Sequence, residues 1–166
     1  MAGGLSRRDL LKGHAKREIP LMLPPGAVNR FSRLCDGCGA CAEACPTGII
    51  RRGTPPVVDF SRGACTFCGD CIAACTTGAL KPEGLPDWPW RGVIGSTCLS
   101  LQGVTCRACE DSCDLRAISF RRMTGGRSAP VLDQSQCSGC GECAFTCPAT
   151  AIRFEQVAIP EKETLQ

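Results

Sequence analysis

Apolar residues in this sequence occur in short runs that Gly and Pro residues interrupt. Two segments, GIIRRGTPPVVDF at 48–60 and AISFRRMTGGRSAPVLD at 117–133, each place a short apolar strand, a turn and a second strand in succession. The Gly and Pro residues in the middle of each segment suit the reversal of a hairpin. The pattern therefore predicts two short β-hairpins.

Helical elements are expected to be equally short. The segments CAEAC at 41–45 and CAFTC at 143–147 should close one or two helical turns. No run of 18 or more apolar residues occurs, so the sequence predicts no membrane-spanning helix. Hairpins and short helices together predict an α+β fold.

Composition changes this picture, because the hydrophobic fraction of 43% includes sixteen cysteines. A small chain with so thin an apolar core commonly relies on disulfides or bound metal. The cysteines fall into four groups, three of which share the spacing C-x2-C-x2-C-x3-C. These three are Cys35, Cys38, Cys41 and Cys45; Cys65, Cys68, Cys71 and Cys75; and Cys137, Cys140, Cys143 and Cys147. The remaining group is irregular, since seven residues separate Cys98 from Cys106, and only Cys106, Cys109 and Cys113 keep the spacing of the other runs.

This spacing favours iron–sulfur clusters over disulfides or zinc. Three thiolates within seven residues can wrap a loop around three corners of a 4Fe-4S cluster, and a fourth Cys reaches the other cluster of a pair. Structural zinc instead takes two CxxC pairs separated by a longer stretch, and disulfides do not require four near-copies of one run. The chain is therefore expected to bind four 4Fe-4S clusters, with all sixteen cysteines as ligands.

The repeat extends beyond the cysteines and predicts two tandem units like bacterial two-cluster ferredoxins. Cys35 to Cys65 spans 30 positions and Cys106 to Cys137 spans 31, with one predicted hairpin inside each interval. The expected organisation is a basic tail at 1–30, a first unit at 31–81, a linker at 82–92, a second unit at 93–156 and a C-terminal tail at 157–166. The linker contains PEGLPDWPW, whose Pro and Gly residues discourage regular structure.

Ligand pairing between neighbouring runs is favoured by the similar spacings. The expected sets are Cys35, Cys38 and Cys41 with Cys75; Cys65, Cys68 and Cys71 with Cys45; Cys98, Cys106 and Cys109 with Cys147; and Cys137, Cys140 and Cys143 with Cys113. A nested arrangement, first run with fourth and second with third, stays open. The irregular Cys98 group either holds its cluster less firmly or forms a rigid inserted loop.

The N-terminal 33 residues are basic, with seven Lys or Arg side chains and two acidic ones within a chain of net charge +3. They contain SRRDLLKG, which resembles the start of a twin-arginine export signal. Lys12, His14, Lys16 and Arg17 break the apolar stretch that such a signal needs, and no small-residue cleavage site follows. We therefore expect a cytoplasmic, uncleaved protein. The tail lacks interleaved aromatic residues, which argues against nucleic acid as a partner.

No conventional catalytic set is apparent, so the chain is not expected to be an enzyme. His14 is the only histidine, and Ser100 and Ser112 have no neighbouring base in the sequence. Trp88 and Trp90 are the only tryptophans and are expected to pack between the two halves; docking of a partner is the alternative.

These features in combination resemble the NapF family, ferredoxin-type accessory proteins of the periplasmic nitrate reductase system. The resemblance rests on the SRR stretch, the two ferredoxin-like halves and the distant Cys98 in GSTCLSLQGVTC. It covers nearly the whole chain. It implies four 4Fe-4S clusters, a cytoplasmic location and contact with the catalytic nitrate reductase subunit before that subunit is exported.

Three functional classes are compatible with such a chain. The first is an electron carrier or relay. The second is a maturation factor that loads or reduces a cluster of its partner, and the third is a binding module with structural clusters. An electron-transfer subunit of another molybdoenzyme or oxidoreductase would carry similar runs and stays as an alternative.

Overall fold

The computed structural model describes residues 20–85 and 88–157. The architecture is α+β, as predicted, and no helix in these two ranges exceeds a few residues. The helices are α1 Phe31–Leu34, α2 Ala40–Glu43, α3 Asp70–Ala73, α4 Ala108–Asp111 and α5 Glu142–Phe145. The strands are β1 Ile50–Arg51, β2 Val57–Val58, β3 Trp90–Ile94, β4 Ile118–Arg122, β5 Ser128–Leu132 and β6 Ile152–Gln156. Two 3-10 turns occupy Pro82–Gly84 and Thr124–Gly126.

Both predicted hairpins are present. β1 and β2 pair antiparallel with Ile50 opposite Val58, and β4 and β5 pair antiparallel with Ile118 opposite Leu132. The second hairpin is longer, since its strands have five residues each and those of the first have two. Each hairpin connects two cysteine runs and holds them at a fixed separation.

A third antiparallel sheet, formed by β3 and β6, was not predicted. Its register runs from Trp90 opposite Gln156 to Ile94 opposite Ile152. The Pro and Gly residues at 82–89 were expected to discourage regular structure, and β3 begins directly after them, at Trp90. The strand forms because β6 supplies the backbone hydrogen-bond partners that a proline-rich linker cannot supply by itself.

Three of the four helices within the cysteine runs begin directly after a glycine in the left-handed conformation. These glycines are Gly39 with φ +81°, Gly69 with φ +85° and Gly141 with φ +89°. A residue without Cβ adopts this φ at little cost, and the chain can therefore turn sharply from loop to helix. In the irregular run, α4 instead follows Arg107 with φ −135°. All four helices place the third Cys of their run at their second position.

The apolar core consists of small clusters rather than one continuous interior. One surrounds Phe31, Ile72 and Leu80 in the first half. Another surrounds Ile49, Ile50 and Phe60 and also receives Phe154 from the second half. Cysteines pack against both clusters, so folding and ligand placement depend on the same contacts.

The seam between the halves is aromatic. The rings of Phe60 and Phe154 lie with their centroids 4.8 Å apart. Trp88 and Trp90 are only 5% and 4% exposed, and a Cβ on Gly139 would collide with both of them. The tryptophans therefore pack against the fourth cysteine run. Trp90 also lines a cavity with Leu23 and Phe31 of the first half, as expected of a residue between the halves.

Among the described residues, no helix is long and apolar enough to cross a membrane. The stretch SRRDLLKG, with Arg7, Arg8 and His14, lies outside the described residues, as does most of the C-terminal tail.

Candidate metal centres

The structure brings the cysteines together in four sets, each combining three thiols of one run with the fourth thiol of another. We call these sets sites I to IV, after the run that supplies three of the thiols. Site I contains Cys35, Cys38, Cys41 and Cys75; site II contains Cys65, Cys68, Cys71 and Cys45; site III contains Cys98, Cys106, Cys109 and Cys147; and site IV contains Cys137, Cys140, Cys143 and Cys113.

Sites II and III are the most clearly delimited. All four site II thiols line one cavity, together with Ile49, Ile50 and Leu85. All four site III thiols line a second cavity, whose remaining walls include Leu99 and Phe120. Apart from Thr47 and Thr66 at site II, the other side chains in both linings are apolar. Such apolar, sulfur-rich walls restrict water, and water access is one determinant of cluster potential.

Site IV lies in a larger cavity of about 750 Å³ at the seam. Its four thiols share this cavity with Cys65 and Phe67 of the first half and with Phe154. The backbone N–H of Cys65 donates a 2.7 Å hydrogen bond to the carbonyl oxygen of Cys140. Site IV is thus enclosed by both halves of the chain.

Site I is defined by packing rather than by a cavity. Cys35, Cys41, Cys71 and Cys75 lie against the core around Phe31 and Leu80, and of these only Cys71 lines the site II cavity. Cys38 is assigned to site I because it lies in the same run, three residues before Cys41. Cys38 is exposed, and so is Cys68 of site II, which occupies the same position in its run.

Backbone N–H groups point at several of the sulfurs. The N–H of Phe67 lies 3.4 Å from Sγ of Cys65, and the N–H of Leu80 lies 3.4 Å from Sγ of Cys75. The N–H of Ala151 lies 3.3 Å from Sγ of Cys147. Such hydrogen bonds stabilise negative charge on cluster sulfur and raise its reduction potential.

Two threonine hydroxyls make similar contacts that the sequence analysis missed. Oγ1 of Thr47 lies 3.5 Å from Sγ of Cys45, and Oγ1 of Thr77 lies 3.6 Å from Sγ of Cys75. Each threonine follows the last Cys of its run by two residues. The corresponding residues of the second half are Leu115 and Ala149, which carry no hydroxyl. A threonine two residues after the fourth Cys of a run was the sequence signal that could have identified these contacts.

Burial raises the pKa of the third Cys in every run. For Cys71 and Cys109 the pKa rises to about 11, and for Cys143 it rises to about 12. Charge on neighbouring thiols adds to the effect of burial at all three positions. Burial and the neighbouring thiols thus disfavour the thiolate form of these cysteines. Cationic iron between the sulfurs would reverse this preference and stabilise the thiolates.

The fourth Cys of each first-half run behaves differently. Burial acts to raise the pKa of Cys45 and of Cys75, but hydrogen bonds outweigh it and both pKa values are lowered. The largest of these bonds come from the Thr47 and Thr77 hydroxyls. These two sulfurs therefore lie in an environment that already favours the thiolate.

The long Cys98–Cys106 loop is anchored at Ser100, which is 2% exposed. Its hydroxyl donates a 2.7 Å hydrogen bond to the carbonyl oxygen of Ser128 in β5. The N–H of Gln102 closes the loop on the carbonyl oxygen of Cys98 at 3.1 Å. Cys98 itself is 8% exposed. These contacts hold the Cys98 loop against β5, as expected of a rigid inserted loop, and how firmly site III holds its cluster stays a prediction.

The four donor sets fit iron–sulfur clusters. Every set consists of four thiols, which is the ligand chemistry of a 4Fe-4S cluster. In the ranges 20–85 and 88–157, no three or more His, Cys, Asp or Glu side chains are close enough to hold a single metal ion.

Two family models match the chain, both described as a 4Fe-4S dicluster domain. One covers residues 34–80 and the other covers residues 104–151. The two matched regions contain fifteen of the sixteen cysteines, and Cys98 lies outside them. Two dicluster domains with sixteen cysteines fit four 4Fe-4S clusters.

Curated relatives resemble the chain over nearly its whole length. The "Ferredoxin-type protein NapF" of Escherichia coli strain K12 is 38% identical over 154 residues, which are 90% of this chain and 94% of the relative. The protein of the same name from Haemophilus influenzae is 35% identical over 161 residues, covering 95% and 92%. The "Methylamine utilization ferredoxin-type protein MauM" of Methylophilus methylotrophus is 34% identical and covers 84% and 72%. The chain therefore belongs to the NapF family of ferredoxin-type iron–sulfur proteins.

Proposed function

We propose that this protein acts in the cytoplasm on the catalytic subunit of a periplasmic nitrate reductase before that subunit is exported. It supplies electrons or cluster iron to the immature subunit and turns over no substrate of its own. The observation that carries the proposal is the presence of four all-thiol sites in a NapF-family chain. The nitrate reductase link comes from what this family resemblance implies.

Sites I to IV each hold one 4Fe-4S cluster in this proposal, with the four thiols of each set as its ligands. The clusters supply one-electron chemistry when bound. The chain contributes ligand placement, hydrogen bonds to sulfur and exclusion of water. Its residues move no proton in this scheme.

The exposed thiols indicate where the partner exchanges electrons or iron. Cys38 and Cys68 are exposed, whereas the other fourteen cysteines are buried or half-buried. Both belong to the first half, so sites I and II have an edge near the surface. A docked partner can approach these two sites without unfolding of the chain.

A second candidate function is electron transfer to a different oxidoreductase. The MauM relative carries methylamine utilization in its name, so proteins similar to this chain are associated by name with another process. In that case the first-half edge around Cys38 and Cys68 would dock another enzyme. The chemistry of the four sites would be unchanged.

Anaerobic copurification distinguishes the two candidates. The cluster-loaded protein should retain the nitrate reductase catalytic subunit that still carries its export signal, and should not retain the catalytic subunit of an unrelated molybdoenzyme. Retention of the unrelated subunit with equal strength would favour the second candidate. Retention of neither would contradict the proposal.

A surface variant tests the docking edge without removing a ligand. Asp70→Lys changes the charge two residues after Cys68, on an exposed side chain. Glu155→Lys, in β6, is a matched control on the second half. The Asp70 variant should weaken retention and the control should not.

A further inference from the structure

We propose that the four sites form one unbranched electron relay through both halves, in the order I, II, IV, III. In this relay, electrons pass from one half to the other where site II contacts site IV. This inference goes beyond the proposed function, because it depends on cluster loading and not on which partner receives the electrons.

Sites I and II meet inside the first half. Cys41 and Cys71 are the third thiols of their runs, and both pack against each of the two apolar cores there. The helices that carry them, α2 and α3, contact one another. These shared contacts make I and II neighbours.

Sites III and IV meet in the same manner inside the second half. α4 carries Cys109, α5 carries Cys143, and these two helices contact one another. The hydroxyls of Ser112 and Thr146 lie 2.9 Å apart and connect the chain just after the two helices. Site III is therefore adjacent to site IV.

The seam joins site II to site IV directly. The N–H of Cys65 donates its 2.7 Å hydrogen bond to the carbonyl oxygen of Cys140, so the backbones of two ligands are in contact. Cys65 also lines the site IV cavity. Among the described residues, those that line the site II cavity include no thiol of site III, and those that line the site III cavity include no thiol of site I or site II.

The Phe60–Phe154 pair packs beside this junction. The two rings are 4.8 Å apart, and Gly141, between two ligands of site IV, lies directly against the Phe60 ring. This packing keeps the separation of the two sites fixed. A fixed, short separation favours electron transfer, because its rate falls steeply with distance.

With clusters bound at the four sites, each step would oxidise one cluster by one electron and reduce the next, with no transfer of an atom or proton. The relay needs a one-electron donor protein at one end and a one-electron acceptor at the other, such as an iron–sulfur cluster of a partner. Sites I and III are the two ends. Site I has the exposed Cys38, whereas site III lies beneath the anchored Cys98 loop.

Two-cluster variants of the full chain test the order by EPR spectroscopy. Cys38→Ala with Cys106→Ala retains sites II and IV, and Cys68→Ala with Cys140→Ala retains sites I and III. After reduction with dithionite, the II and IV protein should show a signal broadened by spin–spin interaction. The I and III protein should show two narrow, non-interacting signals. The reverse result, or the same spectrum from both, would overturn the proposal.

A second measurement needs no variant and applies even if these variants do not fold. Anomalous diffraction at the iron edge from crystals of the loaded wild-type protein locates the four clusters. The II–IV separation should be the shortest of the four distances between halves. Any other shortest pair would overturn the proposed order, whereas failure to bind a nitrate reductase subunit would leave it unaffected.

Discussion

Ser100 Oγ donates a 2.7 Å hydrogen bond to the carbonyl oxygen of Ser128, and the two hydroxyl oxygens lie 3.0 Å apart. This contact connects the Cys98 loop to the second hairpin. The two residues are 28 positions apart in the sequence. The irregular group therefore depends on a tertiary contact for the placement of its first ligand.

Ser100→Ala should loosen site III selectively. The substitution leaves a buried carbonyl without its donor, at a cost of about 1–3 kcal/mol in the free energy of unfolding. Iron content after brief exposure to a chelator should fall from about sixteen to about twelve atoms per chain, because one 4Fe-4S cluster is lost. Ser119→Ala, at an exposed serine of β4, is the control and should retain all the iron. Equal iron loss from both variants would contradict the anchoring role.

Protein purified without oxygen should contain about sixteen iron and sixteen acid-labile sulfide atoms per chain, four of each for every site. Iron and sulfide assays with a zinc measurement check this directly. Zinc without labile sulfide would refute the iron–sulfur interpretation. About twelve of each would indicate that one of the four sites is empty.

Thr47→Val should lower the reduction potential of the site II cluster. The hydroxyl contact with Cys45 stabilises the more negative reduced state, and a hydrogen bond contributes about 0.5–1.5 kcal/mol, equivalent to roughly 20–60 mV for one electron. Potentiometric titration followed by EPR measures the shift. Ala149→Thr places a hydroxyl at the matching position in the second half and should shift the site III potential in the opposite direction. An unchanged potential in Thr47→Val would show that the contact does not tune the cluster.

Gly141→Ala should destabilise the contact with Phe60 at the seam, and Gly69→Ala is a matched control. Both glycines precede a helix with nearly the same φ, +89° and +85°, so both variants carry similar backbone strain of about 1–2 kcal/mol. Only at Gly141 does the new Cβ collide with the Phe60 ring, which adds about 1–3 kcal/mol. Chemical denaturation of the loaded proteins should therefore show a larger loss for Gly141→Ala. Equal losses in the free energy of unfolding would mean that the Phe60 ring moves aside without destabilising the protein.

Cell fractionation and intact mass test the expectation drawn from SRRDLLKG. The protein should be found in the cytoplasm at its full mass, since the apolar stretch after Arg7 and Arg8 is interrupted by charge. A shortened periplasmic form that disappears in the Arg7→Lys, Arg8→Lys double variant would contradict this. Retention of the full mass in both the parent and the variant would agree with it.

The cysteine runs and hairpins could be predicted because their signals are local. Ligand spacing and Gly or Pro at the turns are read within a few residues, as at Gly125 and Gly126 of the second hairpin. The β3–β6 sheet and the Phe60–Phe154 contact join segments far apart in the chain. No local periodicity encodes such a pairing, and the prolines around Trp88 argued against a strand. Thr47 and Ser100 were missed for the same reason, since a single polar residue acquires its role only from the tertiary contact.

The pairing of β3 with β6 also sets an order of events during synthesis. The first half has its two hairpin strands and both of its cysteine runs before Trp90 is made, so its core around Phe31, Ile72 and Leu80 can form while translation continues. β3 must wait for Ile152–Gln156, and until then its backbone donors and acceptors have only water as partners. The nascent chain can therefore assemble the thiols of its first half early, whereas Phe154 reaches the Phe60 core and the site IV cavity only at the final stage of biogenesis.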